Sequence, residues 1–399
     1  MTDISRRNFV LGVACSAAAH PLMSRASFAS VPSENRLVVI ILRGAMDGLD
    51  VVRPVGAPEF SKYHHGLLHG TLQTGGFFGL HPKLAPLMPM WNDGELAFIH
   101  ATSTPYRDIR SHFDGQDLLE TGGADGVKGD GWLNRALAQI PGASQASAIS
   151  VGRDPSLILH GDAPALSWAP EADLALTGQA QRLLQAIYHD DPLFREGLEL
   201  AEILSQEQGG DVAQDQGVDG GVLAENGMGN VTQNIRGTRA LARYTATRLL
   251  DETRIASFSI AGWDTHSSQH SSISRPLDQL ADVLLTLKFD LGSVWDKTTV
   301  LAMTEFGRTV RINGVGGTDH GTGGAAVLAG GAVRGGRVFG AWPGLAYGDL
   351  YKGRDLRPTS DVRAHAGWLL HSLFGLEKSV IETTVFPRLD MGGGPSLLL

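Results

Sequence analysis

The stretch RLVVIILRG, residues 36–44, decides the fold class of this chain. Its apolar part, Leu37–Leu42, is continuous and rich in β-branched residues, and Gly44 follows it closely. A half-exposed strand alternates apolar and polar residues, whereas a strand buried on both faces is apolar throughout. The stretch therefore predicts a central strand over Arg36–Arg43, in a sheet covered on both sides.

Further short apolar runs recur along the chain, and helical patterns lie between several of them. The other predicted strands are Glu95–Thr102, Ser147–Gly152, Ser156–His160, Arg254–Gly262, Thr298–Thr304 and Gly324–Gly330. The predicted helices are Ser111–Thr121, Ala180–Tyr188, Val231–Leu250, Pro276–Leu291 and Asp361–Phe374. Alternation of this kind predicts an α/β fold with a mainly parallel central sheet and helices on both faces.

The composition sets the broad class. A hydrophobic content of 42% with 19% charged residues is typical of a soluble globular protein. The net charge of -9 argues against a nucleic-acid partner, because that partner carries a dense negative charge. Residues 205–230 are rich in Gly, Gln, Asp and Glu, and they predict a flexible surface insertion.

The first 29 residues predict an export signal. The motif SRRNFV, residues 5–10, resembles a twin-arginine signal, and an uncharged apolar run, Phe9–Ala19, overlaps its end. Small residues at Ser27 and Ala29 predict cleavage after Ala29. The expectation is a periplasmic or secreted protein that engages the twin-arginine export machinery and keeps no membrane span. The alternatives are an uncleaved anchor, for which the run is short, and a lipid-modified Cys15.

Cysteine chemistry is excluded if this cleavage occurs, because Cys15 is the only cysteine. The mature chain would then have no disulfide, no thiolate metal ligand and no cysteine nucleophile. Any metal would be held by histidines and carboxylates, which bind divalent ions such as Zn, Mn, Mg or Ca.

Polar residues gather next to the predicted strands. In open α/β sheets, ligands bind beyond the carboxyl ends of the strands. Five loops linked to strands carry acids, histidines or arginines: Arg43, Asp47 and Asp50; Arg107, Asp108, Arg110, Ser111, His112 and Asp114; Asp264 and His266; Glu305 and Arg308; Asp319 and His320. This clustering predicts a metal-dependent site at one edge of the sheet.

The segment GWDTH, residues 262–266, supplies the best candidate ligands. Asp264 and His266 directly follow a predicted strand, and a carboxylate with an imidazole suits a divalent ion. The alternative is a turn-capping aspartate beside a surface histidine. His270, His365 and His371 are expected to be peripheral.

Four further residues are candidate metal ligands. Asp319 and His320 lie between glycines, which allow a ligand to approach the backbone closely. Asp47 and Glu305 each follow a predicted strand. The alternatives are a turn at Asp47 and a structural ion pair between Glu305 and Arg308.

Ser111 stands at the start of a predicted helix. The free N–H groups there favour an anion such as phosphate or sulfate. The alternative, compatible with the first, is a helix N-cap. Arg110 or Arg308 would hold the anion oxygens in a forked contact.

These motifs resemble the DUF1501 family. The segments in question are ILRGAMDGLD, RDIRSHFDGQD, GWDTH, TEFGRT and GTDHGTGG, in that order. The resemblance implies one domain over residues 30–399, with a fold similar to the alkaline phosphatase and sulfatase superfamily. It also implies one ion on Asp264, His266 and His320, a second on Asp47 and Glu305, and Ser111 at the nucleophile position.

One position departs from the superfamily pattern. Phe306 stands where alkaline phosphatases carry a histidine. Either His112 or Asp319 compensates for it, or only one ion binds.

The leading hypothesis is an exported metal-dependent hydrolase or transferase acting on small phosphate or sulfate esters. In it Ser111 attacks, and Arg110, His112 and Arg308 assist. One alternative is a non-catalytic exported binding or assembly protein with a degenerate metal site. Another is a metal-dependent hydrolase for a different bond, such as a carboxylic ester or a glycan.

Overall fold

The computed structural model describes residues 33–64, 68–123, 129–152, 156–168 and 235–399. The predicted signal peptide, the predicted helix Ala180–Tyr188 and the predicted insertion 205–230 lie outside these ranges.

The strands of the described ranges form two sheets. They are β1 (Arg36–Leu42), β2 (Val52–Arg53), β3 (Leu72–Gln73), β4 (Gly79–Leu80), β5 (Leu96–Ser103), β6 (Ala148–Val151), β7 (Leu166–Trp168), β8 (Ile255–Ile260), β9 (Thr298–Met303), β10 (Gly324–Ala329), β11 (Arg337–Phe339) and β12 (Ser360–Asp361). The large sheet runs in the order β11, β5, β10, β9, β1, β8, β6 and β7, with β12 also paired to β5. The small sheet has the order β2, β4 and β3.

The large sheet is mainly parallel, as the sequence predicts. The central strand β1 pairs in parallel with β8 on one side and β9 on the other. Among the described strands of this sheet, only β10 is antiparallel, and it lies between β9 and β5. The amino end of β10 therefore lies at the same edge as the carboxyl ends of its neighbours.

Helices cover both faces of this sheet. The described helices are α1 (Gly48–Val51), α2 (Phe60–Tyr63), α3 (Met88–Asn92), α4 (His112–Thr121), α5 (Trp132–Gln139), α6 (Ile235–Leu250), α7 (Gln269–Ser272), α8 (Ser274–Leu291), α9 (Val362–Phe374) and α10 (Lys378–Val380). Alternate residues of β1 enter two separate cores, one shared with α6 and α8 and the other with α4, α5 and α9. This explains the unbroken apolar run at Leu37–Leu42.

One predicted strand is wrong. The segment Ser156–His160 contains a 3₁₀ turn at Leu157–Leu159 and no strand. Its backbone groups bind elsewhere, since the Ile158 N–H donates to the Glu120 carboxylate at 3.2 Å and the His160 carbonyl accepts from Gly131 at 2.7 Å. The neighbouring strand β6 is already paired on both sides, with β8 and β7.

The other predicted strands and helices in the described ranges agree closely with the observed ones, and each of these strands ends within two residues of its predicted limits. The short elements have no counterpart among the predicted ones: β2, β3, β4, β7, β11, β12, α1, α2, α3, α5, α7 and α10. Ser111 and Asp361 each cap the helix that follows, by accepting a backbone hydrogen bond. In the described part of the chain, no helix has both the length and the apolar character needed to cross a membrane.

Candidate metal centre

Five segments meet at the carboxyl edge of the parallel strands. They follow β1, β5, β8 and β9, and the fifth precedes the antiparallel β10. The approach is tight at Gly44, where an added Cβ would lie 2.5 Å from the backbone nitrogen of Asp264. Gly44 also has a φ of +117°, which other residues rarely adopt. The edge therefore brings together residues far apart in the sequence.

Three predicted site residues form the centre of the cluster: His112, Asp264 and His320. One ligand atom from each lies within 4.8 Å of the other two. The Nε2 atom of His320 is 3.4 Å from Oδ1 of Asp264, and Nε2 of His112 is 3.5 Å from Oδ2. Metal bonds of about 2.0–2.1 Å in a tetrahedron place neighbouring ligand atoms about 3.3 Å apart. The three side chains are thus close enough together to hold one ion.

His112 is oriented by a carboxylate. Its Nδ1 lies 2.7 Å from Oε1 of Glu305, so Nδ1 donates, and when the ring is neutral its lone pair is on Nε2. That Nε2 atom is buried and has no hydrogen-bond partner. The contact with Asp264 at 3.5 Å is ionic rather than a hydrogen bond. A buried imidazole nitrogen of this kind requires a partner.

His320 is oriented by a backbone carbonyl. Its Nδ1 lies 2.8 Å from the oxygen of Arg110, which directs Nε2 toward Asp264 and toward His266. Arg110 has a φ of +59°, an uncommon conformation for arginine, and in it the carbonyl meets His320. Both imidazoles of the centre are therefore held by their Nδ1 atoms, as metal-binding histidines usually are.

The charges of the cluster are paired. The fully buried guanidinium of Arg308 donates to Oδ1 of Asp264 at 2.7 Å. Burial alone would raise the pKa of Asp264, but His112, His320 and Arg308 lower it well below its usual range. Burial would also lower the pKa of His112, but the carboxylates of Asp264 and Glu305 raise it to about 9. Without a metal, His112 is therefore protonated at neutral pH.

Glu305 lies behind His112 and is fully buried. Its Oε1 atom accepts from the Gly44 N–H at 3.0 Å, from His112 and from the Gln116 amide at 3.2 Å. Its Oε2 atom accepts from the Thr304 hydroxyl at 2.8 Å. Burial would raise the pKa of Glu305, but His112 and the other donors lower it. In this arrangement Glu305 holds the candidate ligand His112, whereas the sequence predicts Glu305 itself as a ligand.

Asp47 lies apart from the three central residues. One oxygen caps α1 through the N–H groups of Leu49 and Asp50, and the other accepts from Gln269 at 3.1 Å and Thr318 at 3.2 Å. Burial and the neighbouring Asp50 raise its pKa to about 6.

Arg308 separates Asp47 from the central residues. Its guanidinium binds the Thr318 hydroxyl at 3.2 Å on one side and Asp264 on the other. The structure therefore does not bring Asp47 together with His112, Asp264 and His320.

His266 and Asp319 lie at the exposed rim. The Nε2 atom of His266 is 2.9 Å from that of His320 and 3.1 Å from Oδ1 of Asp264. Asp319 lies 3.6 Å from Nδ1 of His266 and accepts from Asn313 at 3.0 Å. Burial lowers the pKa of His266, so its imidazole is neutral at pH 7 and can act as a ligand.

Ser111 and Phe306 border the cluster. The Ser111 hydroxyl oxygen accepts from the Asp114 N–H at 3.4 Å, which is a long capping contact. Phe306 is buried, and its ring centre lies 5.1 Å from that of His112 and 5.2 Å from that of His320. The position at which a second-site histidine is expected is thus occupied by an apolar ring, which packs against His112 and His320.

The comparisons with known proteins identify a family without an assigned activity. A search of curated proteins found no match. The family described as "Protein of unknown function (DUF1501)" matches residues 99–385. This match covers more than half of the chain and includes the central residues His112, Asp264 and His320. The chain therefore belongs to the DUF1501 family.

Proposed function

We propose that this protein is an exported metal-dependent hydrolase of phosphate or sulfate esters, with His112, Asp264 and His320 as metal ligands. The observation that carries the proposal is the buried Nε2 atom of His112, which has no hydrogen-bond partner and lies 3.5 Å from Oδ2 of Asp264, beside the oriented imidazole of His320. A divalent cation is a natural partner for these three atoms.

The ligand atoms fit a borderline metal ion. Imidazole nitrogens favour Zn or Mn over Mg or Ca, which prefer oxygen ligands. His266, at the rim, would be a fourth protein ligand, or a water molecule would take that place. When bound, such an ion supplies a Lewis acid that polarises an ester oxygen and lowers the pKa of water.

The contacts favour one ion over the two that the resemblance implies. Both oxygens of Asp47 and both of Glu305 already accept hydrogen bonds from fixed donors. Within the described ranges, only His112, Asp264 and His320 form a group of three potential ligands.

Arg110 is the better candidate for binding the anionic ester. Arg308 is fully buried and committed to Asp264 and Thr318. Arg110 is exposed, and its backbone contacts His320 directly. In this proposal its exposed guanidinium would supply the forked contact to anion oxygens.

Water is the better-supported nucleophile, although the sequence predicts Ser111. The Ser111 hydroxyl accepts from the backbone of α4. The Tyr106 side chain also contacts Ser111, but burial raises the pKa of its hydroxyl, so it is protonated at neutral pH and does not remove the serine proton. A superfamily fold and export remain parts of the proposal. The mainly parallel sheet with its site at the carboxyl edge supports the first, and the N-terminal motif supports the second.

The proposal is tested by metal analysis and an ester panel. The wild-type chain should bind about one Zn or Mn ion and hydrolyse at least one phosphate or sulfate ester. His112→Ala should lose both properties, whereas His270→Ala, an exposed histidine nearby, should keep them. Equal metal binding and turnover by wild type and His112→Ala would contradict the proposal.

A second candidate is a non-catalytic exported binding protein. The ion pair between Arg308 and Asp264 favours it, because a paired carboxylate needs no metal. Metal binding without turnover across the panel would support this candidate, and so would the absence of both.

A further inference from the structure

Helix α4 presents three polar side chains on its inward face. His112, Gln116 and Glu120 are spaced four residues apart, so they lie one above another. Gln116 and Glu120 are both buried, which is uncommon for these residue types without hydrogen-bond partners. Their contacts connect the candidate ligand His112 to the strands of the sheet.

Gln116 links Glu305 to an arginine. Its Nε2 donates to Oε1 of Glu305 at 3.2 Å, and its Oε1 accepts from Nη1 of Arg43 at 2.7 Å. Arginine only donates and an ionised carboxylate only accepts, so the amide has a single satisfactory orientation. Gln116 is therefore fixed from both ends.

Arg43 is itself anchored on three sides. It follows β1, its Nε donates to the Ser259 hydroxyl on β8 at 3.0 Å, and its Nη2 lies 2.8 Å from Oε1 of Glu120. The other oxygen of Glu120 accepts from Ser156 at 2.9 Å. The position of the Gln116 amide therefore depends on contacts that lead to β1, to β8 and to the loop at Ser156, and not on α4 alone.

We propose that Gln116, held by Arg43, is a positioning residue that fixes the Glu305 carboxylate and, through it, Nε2 of His112. This inference rests on the proposed metal function. Without Gln116, Glu305 loses one of its side-chain donors and turns more freely, so His112 is less well oriented. Loss of an outer-shell partner typically lowers metal affinity about 10–100-fold.

The test is isothermal titration of the full chain with Zn or Co. Glu305→Gln should weaken binding by about 10–100-fold, because it changes the direct partner of His112. Gln116→Met, one contact further away, should weaken it by about tenfold, at the low end of the same range. Gln279→Met, a buried glutamine on α8 on the opposite face of the sheet, is the matched control and should bind like wild type.

Two further measurements keep the test decisive. The visible spectrum of the Co-loaded protein should change in Gln116→Met but not in Gln279→Met, since only the first disturbs a ligand. If Gln116→Met does not fold, Gln116→Asn keeps the amide but is too short to bridge both partners, and the same loss is expected.

The outcomes separate the two claims. If wild type binds the metal and a folded Gln116 variant matches it in affinity and spectrum, the positioning role is overturned while the metal centre stands. If wild type binds neither ion, the metal centre fails and the positioning role fails with it.

Discussion

Replacing Asp264 by Asn should have two separable effects. Asp264 accepts from buried Arg308 at 2.7 Å and lies 3.5 Å from Nε2 of protonated His112. The substitution keeps the shape of the side chain but removes its charge. We therefore expect a less stable metal-free protein and a weaker response to metal.

The stability effect follows from the burial of the two partners. Breaking a fully buried ion pair costs about 3–5 kcal/mol, and breaking an exposed one costs about 0–1 kcal/mol. The Arg308 side chain is fully buried, but that of Asp264 is 44% exposed. Water can partly replace the lost charge, so about 1–2 kcal/mol is expected at pH 7.

The pH dependence has a definite sign. The folded-state pKa of Asp264 is depressed, so its contribution is present above the unfolded pKa of about 3.9 and is lost as the pH falls further. The difference between wild type and Asp264→Asn should therefore shrink below about pH 4.

The assay is urea denaturation with and without Zn, followed by tryptophan fluorescence. Metal at a hundredfold excess over Kd should stabilise wild type by about 2.7 kcal/mol, and Asp264→Asn by much less. Asp282→Asn breaks the exposed pair with Arg239 and is the control; it should lose less than about 1 kcal/mol and keep the full response. An Asp264→Asn protein that matches wild type without metal and with it would refute the reasoning.

Three more predictions follow from the contacts of the site. The pKa of His112 is about 9, so metal binding must displace a proton from this residue at neutral pH. Metal affinity should therefore rise by up to about tenfold per pH unit between pH 7 and 9. Calorimetry in buffers of different ionisation enthalpy should detect the released proton. Gly44→Ala should cost more than about 2 kcal/mol of unfolding free energy, from clash and strain, whereas Gly75→Ala, also at positive φ but with open space around it, should cost about 1 kcal/mol. Ser111→Ala should lose about 0.5–2 kcal/mol of cap stability and keep metal binding and turnover; loss of turnover alone would restore Ser111 as the nucleophile.

The sequence predicts the sheet well because burial on both faces leaves a local mark. Each of the longer strands of the sheet appears in the sequence as a continuous apolar run. The polar residues that follow such a run must therefore lie at the edge of the sheet where the strand ends. This is enough to bring His112, Asp264 and His320 into one predicted site. The reversal of β10 has no such mark, yet it is what carries Asp319 and His320 to the same edge.

The role of each residue depends on contacts across the chain, which a local pattern does not contain. His112 and Glu305 are 193 residues apart, and only their contact at 2.7 Å makes one a candidate ligand and the other its support. The sequence gives only a weak indication of the role of Gln116, namely that this residue lies one helical turn after His112. The sequence places Arg43 in the loop after β1 but does not indicate its role, because its partners on β8 and α4 are distant in sequence.

Phe306 and Asp47 together argue for fewer metal ligands than the resemblance implies. A histidine at position 306 would form a second metal site only if a carboxylate without other hydrogen-bond donors lay beside it. The nearest candidate, Glu305, is held by four donors, and Asp47 is held by four others beyond Arg308. The phenylalanine instead packs against His112 and His320, where an apolar ring excludes water and keeps both imidazoles in place. The same contacts that argue against a second ion therefore support the proposed first one.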